Sequence, residues 1–128
     1  MSFFNMFKGK NASSNEKLKD EMKDDLSTLN DLQVLEKIDT YANEMKASIN
    51  NRVLVKLENA VNEFDKRYNS YPFYKRSAIK LVWENGKANL ATIKMHMQKP
   101  AVNSTAMISV SLMGLTASIA HICTELSK

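Results

Sequence analysis

From Leu32 to Tyr68 an apolar residue recurs at every third or fourth position, with no proline or glycine between them. The series runs Leu32, Leu35, Ile38, Ala42, Met45, Ile49, Val53, Leu57, Ala60, Phe64 and Tyr68. That spacing is the signature of an amphipathic helix. At 1.5 Å per residue an unbroken helix of this length would reach roughly 55 Å. A compact domain of 128 residues is narrower than that. Either the helix breaks near Asn50-Asn51, or it protrudes and pairs with another chain.

Upstream, residues 1–13 read as a flexible leader and residues 14–128 as a single globular domain. A first helix is expected over Asn15–Leu29, with a thin stripe of Leu18, Met22, Leu26 and Leu29 that survives only if docked. Ser14 and Asn30 are cap candidates. Phe3, Phe4 and Phe7, followed by Lys8 and Lys10, are candidates for weak contact with an anionic membrane surface or for a partner's groove. The leader's apolar run is too short for a signal peptide, and its cations follow rather than precede it. Ser2 rules out the N-myristoylation pattern. With one cysteine, Cys123, no disulfide can form within a chain. A cytoplasmic location is the expectation that goes with these features. The sequons at Asn11 and Asn103 are then chance matches.

The long helix ends at Asn69-Ser70-Tyr71-Pro72, because proline disfavours helix at the residue before it. Beyond it the period changes. Ile79, Leu81 and Trp83 alternate with Lys80, Val82 and Glu84, and Glu84-Asn85-Gly86 follows as a turn. A three-residue loop there gathers Ile79, Leu81, Trp83, Ala91, Ile93, Met95 and Met97 on one face, which selects it over a two-residue loop. A third alternating run, Ala106, Ile108, Val110 and Leu112, follows Lys99-Pro100 and closes at Gly114. Helical spacing returns with Leu115, Ile119, Ile122 and Leu126. The fold expected is α+β, in the order α-α-β-β-β-α. Its N-terminal helices, one of them long, pack on a three-stranded antiparallel meander centred on Trp83, with a C-terminal helix. The rival is an all-α four-helix bundle, since Ile79, Trp83, Gly86, Leu90, Ile93 and Met97 also fit a heptad, at a cost of about 1 kcal/mol for the glycine.

Residues 101–124 hold no charged side chain. Ser, Thr, Asn and His interrupt the run, so it reads as a buried core segment rather than a membrane span. Charge is uneven elsewhere. Residues 1–50 carry seven Lys/Arg and nine Asp/Glu, and residues 51–100 carry ten and four, net −2 and +6. The two halves can neutralise one another within the fold, or the basic middle can face an anionic partner.

Catalytic chemistry finds little to work with. His96, His121 and Cys123 are the only histidines and cysteine, and their spacing builds no zinc site. Gly9, Gly86 and Gly114 are isolated, so no phosphate cradle can form. Cys123 in an apolar helix is a core side chain, not a nucleophile. No cofactor or metal is expected. The one notable cluster is Lys66, Arg67, Tyr68, Tyr71, Phe73, Tyr74, Lys75 and Arg76. Its cations could neutralise phosphates while its aromatics stack on bases. Equally, the aromatics could pack a joint while the cations reach water. The function expected is that of a non-enzymatic protein-binding accessory factor, such as an inhibitor, adaptor or assembly component, and a homodimer. The alternative is a nucleic-acid binder using residues 66–76.

Overall fold

The structure, a computed structural model, describes residues 25–128. A short 3-10 turn, Leu26–Thr28, precedes four helices: α1 (Asp31–Ala47), α2 (Asn51–Ser70), α3 (Phe73–Gln98) and α4 (Ser104–Leu126). The leader and most of the expected first helix lie outside the described residues. Its last turn, around Leu26, is 3-10 and ends in extended backbone at Leu29.

Local chemistry sets the breaks. Asn30 and Gln33 form a reciprocal capping box at the start of α1, with bonds of 2.8 and 2.9 Å. Of the two alternatives for the long periodic stretch, the break near Asn50-Asn51 is the one found. Asn50 turns extended, and its Oδ1 accepts from the Val53 backbone N–H at 2.9 Å to start α2. The apolar stripe therefore folds back on itself instead of protruding. Pro72 separates α2 from α3, its carbonyl accepting from the Lys75 and Arg76 backbone N–H groups at 3.0 Å. Short connections then make the four helices run up and down in turn.

There is no strand among the described residues, so the meander expected from the sequence is overturned in favour of the four-helix bundle. Residues 79–97 are helical, and Glu84-Asn85-Gly86 is mid-helix rather than a turn. Ala106–Leu112 likewise lies within α4, and Gly114 sits inside that helix instead of ending a strand. The physical reason lies in what faces the glycines. A Cβ on Gly86 would stand 3.5 Å from both Leu115 Cδ1 and Ser118 Cβ, and one on Gly114 would stand 2.7 Å from Asn89 Nδ2. Gly114 thus makes room for Asn89 of α3, Gly86 faces α4 at ordinary contact distance, and neither holds a left-handed backbone.

The two long helices α3 and α4 make the most extensive packing in the bundle, while α1 packs on α2 and α4. Ser104, Ser111 and Ser118 are buried along α4. Ser118 Oγ accepts from Asn85 Nδ2 at 3.4 Å, and Ser104 Oγ meets His96 Nδ1 at 2.9 Å. By contrast, α2 and α3 touch less closely along their backbones. Large side chains bridge that gap. Trp83 and Phe64 meet edge to face at 4.8 Å, both fully buried. Asp65 Oδ1 accepts from Trp83 Nε1 at 2.8 Å and from Lys87 at 2.9 Å, and Glu58 pairs with Lys94 at 2.6 Å. Trp83 is therefore central, as expected, but within a helical core. Burying a side chain of this kind is worth about 1.5–3 kcal/mol.

Candidate functional site

The basic-aromatic segment falls at the joint between α2 and α3, and its members divide between several tasks. Arg67 is a strut. Its Nε bonds Glu63 at 2.8 Å, its Nη1 bonds Asp31 at 3.1 Å and its Nη2 bonds the Leu26 carbonyl at 2.9 Å. It ties α2 to α1 and to the turn before it. Burial alone would raise the Glu63 carboxyl, but the bonds from Arg67 and Lys66 outweigh it and hold it below the usual carboxylate range. Burial would likewise lower the Arg67 guanidinium, yet Glu63 and Asp31 carry it above its ordinary value.

Tyr68 is buried. Tyr71 donates its hydroxyl to Asp31, sets its ring edge-on to Phe64 at 6.2 Å and lies 4.1 Å beneath the Lys75 ammonium. Burial, aided by the Asp31 carboxylate, pushes its hydroxyl pKa above the ordinary tyrosine value. Lys66 reaches Glu63 at 3.4 Å, and Arg76 is half-buried with no hydrogen-bond partner at Nε among the described residues. Phe73 and Tyr74 alone of the aromatics point outward, each 76% exposed. The segment is therefore mainly a packed, ion-paired joint. Phe3, Phe4 and Phe7 lie outside the described residues.

The remaining reactive groups do not converge. Cys123 is half-buried, and burial followed by the Asp39 and Glu36 carboxylates raises its thiol pKa, which disfavours the thiolate. His121 pairs loosely with Glu125 at 3.9 Å, while His96 is engaged with Ser104. Among the described residues, no three His, Cys, Asp or Glu side chains cluster as metal ligands do.

The surface that stands out is the outer face of α4, which the sequence reading missed as a surface. Ser104, Ile108, Ser111, Leu115, Ser118 and Ile122 form its buried seam, with steps of four and three residues. Ala106, Val110, Met113, Ala117, Ala120 and Thr124 form a second seam with the same steps, and all six are exposed. The second seam is offset from the first by two residues, or about 200° of helix turn, and so lies on the opposite side. Val110 and Met113 are 62% and 63% exposed. α4 itself brings no charge to this face, since residues 101–124 contain none, and the charges that border it come from α1: Lys46 reaches Thr116 at 3.3 Å, and Glu36 and Asp39 line a groove with Ala120. Among the described residues, α4 is also the helix long and apolar enough to cross a membrane by length and composition, a test that core helices of bundles pass too.

No family model, curated protein or solved structure matches the chain.

Proposed function

We propose that the protein acts by binding protein, as a non-enzymatic accessory factor, and that it binds through the outer face of α4. One observation carries this reading: a full-length, charge-free helical seam stands exposed on an otherwise charged bundle. Contiguous apolar surface on a small domain marks an interaction site, because leaving it in water is costly. Val110 and Met113 at its middle, between small residues, are the kind of anchors that a partner helix would cover.

The Lys66–Arg76 segment supports nucleic-acid binding less well. Arg67, Lys66 and Lys75 already have partners within the fold, and Tyr68 and Tyr71 are packed. Few cations remain there to release counterions from phosphates.

Affinity capture with the full chain tests the proposal, using Val110→Asp/Met113→Asp for comparison. Both positions are exposed, so the variant should keep its helical circular dichroism. Wild type is expected to retain protein partners after nuclease treatment, and the variant to lose them. Partners that vanish with nuclease alone, or that the variant still holds, would refute the proposal.

A further inference from the structure

The two seams of α4 have the same rhythm but different side-chain sizes. The buried seam is filled by α1 and α3. The outer seam has its bulk in its first half, at Val110 and Met113, and small side chains in its second half, at Ala117 and Ala120. Its six positions are arranged symmetrically about residue 115. An antiparallel copy centred there sets Met113 opposite Ala117, Val110 opposite Ala120 and Ala106 opposite Thr124. Every large residue then meets a small one, which is how facing helix layers interdigitate. A parallel copy would set Met113 on Met113 and Ala117 on Ala117, crowding one end and leaving a gap at the other.

Charge points to the same occupant. The chain is net positive at +4, and residues 51–100, which span all of α2 and α3, hold a net +6. Two copies meeting through those faces would oppose like charges. The outer face of α4 adds no charge of its own to such a contact. From these observations we propose that α4 pairs with α4 of a second copy, antiparallel and two-fold, with the axis at the level of Leu115. This rests on the α4 face being a protein-binding surface and names its partner.

Interface size sets the strength. A strip one α4 long, roughly 35 Å, and about 10 Å wide covers only about 350 Å² per copy, below the standard size of stable interfaces. The dimer is therefore weak and concentration-dependent, in the micromolar rather than the nanomolar range.

The test uses sedimentation of the full chain from low to high micromolar concentration, together with cysteine crosslinking in a Cys123→Ser background. The mass should rise from 14.5 kDa toward twice that value. Met113→Asp should hold it at the monomer with unchanged helical circular dichroism. Under mild oxidant, chains carrying Val110→Cys should crosslink to chains carrying Ala120→Cys. Val110→Cys should not crosslink to itself, because antiparallel pairing separates the two copies of position 110 by roughly 15 Å along the axis. Preferential self-crosslinking at 110 would overturn the antiparallel register. A constant monomer mass, or a dimer that Met113→Asp leaves intact, would overturn the proposal. A monomer that instead sediments with phospholipid vesicles, and loses that with Met113→Asp, would assign the face to lipid. A monomer whose nuclease-resistant capture of a different protein is lost in Val110→Asp/Met113→Asp would overturn the dimer and leave the protein-binding function standing.

Discussion

Gly86→Ala separates the helical fold from the hairpin by the sign of one free-energy change. In the structure Gly86 lies in the middle of α3, and its added Cβ would sit 3.5 Å from Leu115 Cδ1 and Ser118 Cβ and 3.9 Å from Ser118 Oγ. Those are ordinary van der Waals distances, so nothing has to move. Glycine in a helix interior costs about 0.8–1.0 kcal/mol relative to alanine, much of it through the freedom it retains when unfolded. Alanine should therefore stabilise the protein by about 1 kcal/mol. For a domain near 100 residues that is on the order of 4 °C in Tm. Urea unfolding followed by circular dichroism should show a higher midpoint with an unchanged slope. Gly114→Ala is the internal control. There the new Cβ would stand 2.7 Å from Asn89 Nδ2, so Asn89 must swing away and give up its 3.1 Å bond to the Asn85 carbonyl. The propensity gain and that loss are each about 1 kcal/mol, and the net effect should be near zero. Adding Asn89→Ala should then release the stabilisation. If Gly86 sat instead at a turn with positive φ, alanine would be strained and destabilising. A destabilisation of about 1 kcal/mol or more at Gly86 would refute the packing described for α3 and α4.

Two further perturbations probe the joints of the bundle. Asn50→Ala removes the side chain that accepts from the Val53 N–H. It should cost about 1 kcal/mol, read as a lower urea midpoint, because that cap is what turns one long helical stripe into two helices. Acid should weaken the fold through Glu63 and Asp65. Both carboxyls would be raised by burial but are held below their ordinary values, Glu63 by Arg67 and Lys66 and Asp65 by Lys87 and Trp83. A depressed folded pKa gives stability that is present above the unfolded value and lost as pH falls through the folded one. Unfolding midpoints should therefore hold steady near neutrality and fall as pH drops below about 4.5. Asp65→Asn, which keeps an acceptor for Trp83, should flatten that fall, and an unaltered pH profile would show that Asp65 is not held this way.

Much of the bundle is legible locally. The cap at Asn30, the break at Asn50 and the stops at Pro72 and Pro100 are written in the residues at those positions. Local backbone chemistry decides them, and the structure places helix ends at or next to each. The role of Gly86 is not written locally. Asn85-Gly86 has the composition of a hairpin turn, and only the position of Leu115 and Ser118, some thirty residues on, shows that it lies mid-helix against a neighbouring helix. The candidate surface was hidden for a related reason. A segment without charges reads as core, yet one side of α4 is buried and the other faces out.

The strand-like alternation and the exposed α4 face have a common origin. A helix that is apolar on one side repeats at three and four residues. A helix that is apolar on opposite sides also shows apolar residues two apart, since two residues turn it by about 200°. In α3, Ile79 and Trp83 are fully buried while Leu81 between them is 77% exposed. In α4, Ile108 and Leu112 are buried while Ala106 and Val110 stand outward. The alternation that imitates a β-strand is thus two helical faces interleaved, one for the core and one for the surface. Apolar side chains kept on the outside of a bundle contribute nothing to its own core. Where they gather into a continuous charge-free seam, as on α4, burial against a partner is what would make them stabilising. Leu81, flanked by Lys80 and near Glu84 with its 3.1 Å ion pair, belongs to no such seam. Leu81→Ser should therefore leave the proposed association unchanged, whereas Met113→Asp should abolish it.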